Sequence, residues 1–428
     1  MTEGRWARRV AGALPGGISG VAVAATLFGA WPANAGADGA RSGATKVAAL
    51  VEQGSKLGAT NEVGRGAFGY AVSVSGDGST AIVGAPQDKH GTGAVWVFIR
   101  SGATWVPQGG KMTPTGEVGH GYFGVSIALS EDGNEALIGS PKDGKGEGAA
   151  YVFTRSGETW TQQAKLTGKE EIGHANFGRR VSLSSDGQTA LMGGYADNAN
   201  AGAAWVFAYS GEKWAQQGPK LTGSGEAGAG QFGGDVALSG NGETALIGGP
   251  TDNSALGAVW FYARSGAEWI SQDGKLTATS EAGAAEFGRS VSLSDAGGTA
   301  LIGGPEDGGD LGAAWIFAFD GEGWGQSSKL TPPPVKGHAD FGRDVSLSGN
   351  GQAALIGAPK AKLGAGGAAY VFGLQGGVWG SVGLPLTGGA ETKRADFARS
   401  VALSDDGGTA VVGGPKDHNV GAVWTYGE

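Results

Sequence analysis

Acidic residues recur at fixed distances from a repeated phenylalanine, and their spacing is regular enough for a shared chemical role. Six residues before the phenylalanine stand Glu62, Glu117, Glu171, Glu226, Glu281 and Glu391. Twenty residues after it stand Asp88, Asp143, Asp197, Asp252, Asp307 and Asp417. Such carboxylates could bind cations or a basic partner, or they could hold loops together by bonding the backbone. The second interpretation is favoured because the sixth copy lacks both acids, with Val335 and Ala361 in their places.

Histidines occur three residues before the phenylalanine in three copies, and two of these copies are neighbours. Imidazole and carboxylate groups suit zinc or a similar metal. Two loops would have to converge, however, and no third ligand is evident. The candidate binding residues are therefore Glu117, His120, Asp143, Glu171, His174 and Asp197. We predict no catalytic residue and no metal ligand.

The phenylalanines mark a repeat that runs through most of the 428 residues. They are Phe68, Phe123, Phe177, Phe232, Phe287, Phe341 and Phe397, separated by 55, 54, 55, 55, 54 and 56 residues. A fixed period of this kind predicts a repeat architecture. Each unit contains four short segments with strand-like alternation. Between the first two segments, pairs such as Asp186-Gly187 predict two-residue hairpin turns with both residues at positive φ. Four antiparallel strands at this period are typical of β-propeller blades.

The two ends of the chain complement each other. The seventh copy stops at Tyr426, after its third predicted strand, while residues 51–57 match the fourth-strand segment 160–166. We therefore predict an all-β fold over residues 46–428. This fold is a seven-bladed β-propeller of four-stranded antiparallel blades, closed by an N-terminal strand.

The first 35 residues differ in character from the repeats. A basic start with Arg8 and Arg9 precedes an apolar, Gly-rich stretch and the A-x-A sequence Ala33-Asn34-Ala35. This pattern predicts a signal peptide over 1–35 and a linker over 36–45, with a retained membrane anchor as the alternative. With the signal removed, no membrane span is expected. The net charge of −9 and the lack of a basic run in the repeats argue against nucleic acid as a partner.

A second motif follows the phenylalanine at a fixed distance: Phe68-Gly69 is followed by Gly84-Ala85-Pro86, and Phe341-Gly342 by Gly357-Ala358-Pro359. With this pair of motifs, the repeat resembles the FG-GAP repeat of integrin α-subunit propellers and related bacterial surface proteins. The resemblance implies an extracellular propeller and, in many members, a calcium-binding loop between the first two strands. Here that loop is a short hairpin with few carboxylates, whereas calcium takes six to eight oxygen ligands. We expect no cofactor.

The function favoured by these features is that of a secreted or cell-surface, non-catalytic binding or adhesion propeller. Its partner would be an extracellular protein or glycan, and we expect a monomer. The alternative is an extracellular carbohydrate-active enzyme, a polysaccharide lyase or hydrolase, because the fold alone does not separate the two. An enzyme should show carboxylate, Tyr or His groups converging near the channel of the propeller. Four arginines, two residues after the phenylalanine, are expected to pair with acids near that channel: Arg179, Arg289, Arg343 and Arg399.

Overall fold

Seven four-stranded antiparallel sheets form a ring around a central channel. The computed structural model describes residues 47–334, 337–363, 366–392 and 394–428. The predicted fold class, an all-β propeller of seven blades, is confirmed. The predicted signal peptide and linker lie outside the described residues. Within the described ranges, no helix is long and apolar enough to span a bilayer.

The strands occupy equivalent positions in every blade. The first strands, which line the channel, are β2 (Ala71–Val74), β6 (Ile127–Leu129), β10 (Arg180–Leu183), β14 (Asp235–Leu238), β18 (Ser290–Leu293), β22 (Val345–Leu347) and β26 (Ser400–Leu403). The second strands are β3 (Thr80–Ala85), β7 (Glu135–Ser140), β11 (Thr189–Gly194), β15 (Thr244–Gly249), β19 (Thr299–Gly304), β23 (Ala353–Ala358) and β27 (Thr409–Gly414). The third strands are β4 (Ala94–Ser101), β8 (Ala149–Ser156), β12 (Ala203–Tyr209), β16 (Ala258–Ser265), β20 (Ala313–Phe319), β24 (Ala368–Gln375) and β28 (Ala422–Gly427).

The fourth strands lie at the outside of the ring. They are β5 (Thr104–Met112), β9 (Thr159–Leu166), β13 (Trp214–Gln216), β17 (Glu268–Leu276), β21 (Trp324–Leu330), β25 (Val378–Leu386) and, for the seventh blade, β1 (Val51–Glu52). Short turns that contain left-handed residues separate the second and third strands at Asp88–Gly91, Asp143–Lys145, Asp197–Asn200, Asp252–Ala255, Asp307–Asp310 and Asp417–Asn419.

The repeated phenylalanine joins neighbouring blades. Phe232 is fully buried, and its ring meets that of Trp260 edge-on with centroids 5.2 Å apart. Its backbone bridges to Gly202 of the preceding blade, where a Cβ atom would lie only 2.0 Å from the Phe232 carbonyl oxygen. Glycine is therefore required before the third strand, because the two backbones approach too closely for any side chain.

The hairpin between the first two strands differs from the predicted two-residue turn. Ser75 and Thr80 close the hairpin, and only Gly78 has a positive φ, of +68°. The Asp77 side chain instead accepts bonds from the Ser75 hydroxyl and the Ser79 N–H group. Since only the glycine needs the left-handed region, the copy with Ala296 before its glycine forms the same turn.

Backbone hydrogen bonds between these hairpins circle one end of the channel, called here the bottom face. The Gly76 N–H group donates to the Glu131 carbonyl at 2.9 Å, and Glu131 donates to Ser185 at 2.9 Å. Equivalent bonds continue through each blade until the Asp405 N–H group donates back to Gly76 at 3.1 Å. The first strands β26 and β2 also contact each other, so the last blade lies against the first.

The N-terminal segment occupies the fourth-strand position of the seventh blade. Strand β1 pairs antiparallel with β28, with Glu52 opposite Tyr426. The Leu57 N–H group bonds to the Val423 carbonyl at 2.7 Å, and Leu50 is 6% exposed in the core of this blade. The first and last parts of the described chain therefore share one sheet.

Candidate binding face

The recurring aspartates lie buried at the end of the propeller opposite the hairpins, called here the top face. Their side chains are 0–7% exposed. In the second blade, the Asp143 carboxylate accepts the Val118 N–H group at 2.8 Å. The same bond, from the residue that follows the recurring glutamate, measures 2.6–2.8 Å in all six blades that carry the aspartate. Each aspartate thus ties the loop before the phenylalanine to the turn after the second strand.

A lysine from the fourth-strand position completes each of these units. The nitrogen–carboxylate distances are 2.5–3.0 Å. The lysines are Lys56, Lys111, Lys165, Lys220, Lys275 and Lys329. Our sequence reasoning expected arginine as the partner and missed these lysines, although a lysine before Leu or Met recurs in six copies. A buried carboxylate needs such a counter-charge, because isolated burial of the ion is costly.

The sixth blade replaces all three members of the unit by uncharged residues. Val335 and Ala361 stand in place of the acids, and Pro385 stands where the lysine would be. Ala361 is 2% exposed, so its position is buried as the aspartates are. Joint loss of the three groups is expected for an internally paired unit, since keeping one charge alone would leave it buried without a partner.

The recurring glutamates lie beside the aspartates in a half-buried environment. The Glu117 carboxylate accepts the Gly121 N–H group at 2.6 Å. Burial raises the pKa of Glu117 to about 6 and the pKa values of Glu171, Glu226 and Glu281 to about 7, and the neighbouring aspartate adds to each shift. Part of this glutamate population therefore holds a proton near neutral pH.

Substitution of Glu226 by Gln is expected to flatten the pH dependence of stability. Because the folded-state pKa is about 7 against a usual value of 4.5, the folded protein keeps a proton that the unfolded chain releases. The contribution of Glu226 to the free energy of unfolding is therefore fully present below about pH 4.5 and is lost as the pH rises through about 7. Melting curves at about pH 5 and about pH 8 should differ less for Glu226→Gln than for the parent. The exposed Glu212→Gln serves as control, and an unchanged pH difference in Glu226→Gln would contradict the assignment.

The six candidate binding residues fall into two groups of different exposure. Asp143 and Asp197 are buried in their units, each near the glutamate of the same blade, Glu117 or Glu171. His120 and His174 stand in exposed loops of adjacent blades. In the described part of the chain, no group of three His, Asp or Glu side chains could hold a metal ion. A ligand-binding role for these six residues stays a prediction, while the geometry gives both aspartates an internal role.

A cavity of about 730 Å³ opens on the top face at the seam between the seventh and first blades. Its charged and aromatic lining is formed by Arg65, Tyr70, Arg394, Asp396, Arg399, Lys416 and His418. The carboxylate of Asp396 pairs with Lys416 at 2.9 Å, and the Lys416 side chain is 68% exposed. We call this cavity the seam pocket; its lining carries more basic than acidic side chains.

Tyr70 and Arg399 line both the seam pocket and the central channel. The Arg399 guanidinium lies 5.5 Å from the centre of the Tyr70 ring, and Arg179 approaches the Tyr70 hydroxyl at 3.4 Å. Burial alone would raise the pKa of Tyr70, but the charges of Arg179, Arg399 and Arg180 outweigh it and lower that pKa to about 7. The phenol therefore lies in a strongly positive environment.

The predicted pairing of the arginines with acids holds only in part. Arg289 lies 3.7 Å from Glu286, and Asp340 is near Arg343. Burial lowers the pKa of Arg343 to about 10, and repulsion from Arg289, Arg399 and Arg180 adds to the effect. Side chains from four blades therefore converge on the channel mouth, which the period of the sequence does not reveal.

The ring of seven four-stranded sheets defines the class of protein, a seven-bladed β-propeller. The FG-GAP repeat family profile matches residues 51–98, 106–153, 160–207 and 324–372. Each match begins in or beside a fourth strand and ends in the third strand of the next blade, so the sequence repeat and the blade are offset by one strand. At least four of the seven units are therefore FG-GAP repeats, carried on a seven-bladed propeller. No curated protein matches the chain.

Proposed function

We propose that this propeller is a non-catalytic binding protein that acts outside the cytoplasm and engages its ligand through the top face. The observation that carries the proposal is the seam pocket, whose volume of about 730 Å³ lies in the range of small-molecule and cofactor sites. The aspartates of the blades are occupied by internal partners, which leaves the exposed basic groups at this seam for a ligand. The basic, apolar and A-x-A pattern of residues 1–35 supports export.

Tethering the protein through either face tests which surface binds. The chain has no cysteine, so a single introduced cysteine gives one attachment point. Ser156→Cys lies in an exposed hairpin on the bottom face, where the adjacent Arg155 bonds Asn134 of a bottom-face turn. Val118→Cys lies on the top face, with 58% of the native residue exposed. Protein recovered from the medium of expressing cells is attached through each cysteine and probed with arrays of extracellular glycans and proteins.

Ligand capture is expected when the protein is held through position 156 and is expected to fall severalfold when it is held through position 118. The two attachments carry the same chain and the same linker, so their difference reports the face alone. Equal capture in both orientations, or capture only through position 118, would contradict a top-face site. A chain retained inside the expressing cells would contradict the proposed location.

Tyr70 favours the enzyme alternative as a second candidate. A phenol whose pKa is lowered to about 7 can exchange a proton near neutral pH, and the neighbouring arginines would attract an acidic substrate. An extracellular lyase or hydrolase acting on an acidic polysaccharide would use these groups. Fragments released from such a polymer by the parent, and not by Tyr70→Phe, would establish the enzyme; an intact polymer bound by both proteins would favour the binder.

A further inference from the structure

Five arginines gather where the channel meets the top face, and their acidic partners are too few to neutralise them. Arg180 lies 3.4 Å from Asp235 in the channel wall and interacts with the charge of Asp344. The other four arginines are Arg179, Arg289, Arg343 and Arg399. Each interacts electrostatically with at least one other arginine of the group or with Tyr70. Like charges held this close repel one another unless an anion lies between them.

The two channel aspartates are held in place by the protein itself. Asp235 accepts the Val291 N–H group at 2.8 Å, and Asp344 accepts the Val401 N–H group at 2.8 Å. These bonds join each carboxylate to the next blade and keep it in the channel wall. Asp235 and Asp344 therefore balance Arg180. Glu286 lies 3.7 Å from Arg289, and Asp340, which is near Arg343, already pairs with Lys360 at 3.0 Å. The arginines thus outnumber the acids available to them, and the channel mouth keeps an excess of positive charge.

The seam pocket extends this positive region outward from the channel. Arg399 lines both spaces, while Arg65 and Arg394 line the pocket and are exposed. The pocket acid, Asp396, is already paired with Lys416. A ligand that reaches from the pocket to the channel mouth would thus meet basic groups at two separated points.

Guanidinium groups recognise carboxylate, sulfate and phosphate through paired N–H bonds. We propose that the seam pocket and the channel mouth form one anion-binding site for a ligand that carries at least two such groups. The inference rests on the proposed function, because it names the ligand class of the same face. One group of the ligand lies beside Arg65 and Arg394 in the pocket, and another lies beside Arg399 at the mouth.

Calorimetric titration of the full chain with defined anions tests this site. The probes are inorganic sulfate, citrate and a galacturonate trisaccharide, with a neutral galactose trisaccharide as the uncharged counterpart. The parent should bind citrate or the acidic trisaccharide more tightly than sulfate, and added salt should weaken the binding. Preference for citrate indicates a small polyacid as the source of the groups, and preference for the trisaccharide indicates an acidic glycan; either supports the proposal.

Two arginine variants and one matched control locate the site. Arg399→Gln should weaken binding of the preferred probe about tenfold or more, and the exposed Arg394→Gln should weaken it severalfold without disturbing the fold. Arg264→Gln removes the same charge from the bottom face, beside Glu243, and should leave binding unchanged. Arg394→Gln keeps the test valid if Arg399→Gln does not fold.

Absence of binding by every charged probe would overturn the inference, as would equal binding of the neutral trisaccharide. Equal losses in Arg264→Gln and Arg394→Gln would also overturn it, because the effect would then reflect net charge alone. The protein attached through position 156 could capture an array ligand equally well with and without Arg394→Gln and Arg399→Gln. That result would refute the anion site and leave the proposed function standing. If the protein attached through position 156 captures no array ligand but still binds the charged probes, the anion site stands and the proposed function is refuted.

Discussion

Removal of residues 47–57 is expected to lower the free energy of unfolding by about 5 kcal/mol or more and to leave much of the protein aggregated. The deletion removes the buried Leu50 and the Lys56 ammonium, which lies 2.5 Å from the buried Asp417 carboxylate. It also exposes the edge of β28, because Val423 loses both of its backbone bonds to Leu57. An unpaired edge of this kind is a template for pairing with another chain.

Thermal unfolding and size-exclusion chromatography of the truncated chain measure this effect. Val51→Thr is the matched control, since it changes the same strand at a side chain that is 61% exposed. The control should unfold within about 0.5 kcal/mol of the parent. A truncated chain that stays monomeric and unfolds at the temperature of the parent would show that the N-terminal strand does not stabilise the ring.

Replacement of Asp252 by Ala is expected to cost about 2–4 kcal/mol of stability. Its side chain is fully buried, accepts the Ala227 N–H group at 2.7 Å and pairs with Lys275 at 3.0 Å. The substitution leaves both groups without their partner at a position where the native side chain is fully buried. Asp252→Asn should cost less, because its amide oxygen can still accept the Ala227 N–H group.

Chemical denaturation measures these losses, provided that the dependence of the unfolding free energy on denaturant concentration has the same slope in every variant. The exposed Glu212→Ala is the control for removal of a surface acid, with an expected change within about 0.5 kcal/mol. A loss for Asp252→Ala no larger than that of the control would mean that the buried pair contributes nothing to the fold.

The period of the sequence predicted the architecture well, because each blade repeats the same local rules. The predicted fourth-strand segment 160–166 is observed as β9, which begins one residue earlier, at Thr159, and ends at Leu166 as predicted. Alternation, turn glycines and buried phenylalanines act within one unit or between neighbours, so they are visible in the sequence. The prediction of the hairpin was wrong in detail because only the glycine, and not the residue before it, adopts a positive φ.

The site could be predicted only where its groups recur. The pairing of glutamate and aspartate in one blade followed from their joint absence in the sixth copy. Lys275 and its equivalents, in contrast, lie at the fourth-strand position, where we predicted no partner for the acids. The cluster of Tyr70 with Arg179 and Arg399 joins three blades that are distant in sequence. Such convergence depends on the closure of the ring, which a single repeat does not contain.

The central claim is that the carboxylates of the top face hold together the six blades that carry them through partners within the protein, without a bound ion. The direct test is a double-mutant cycle of Glu226→Gln and Asp252→Asn, with thermal unfolding in the presence and absence of calcium and zinc. We predict non-additive effects of the two changes, with a coupling energy of about 0.5 kcal/mol or more, and no shift on addition of either ion. Nearly neutral variants combined with an ion-dependent stabilisation of the parent, lost in the double variant, would contradict the claim and place a cation site at this rim.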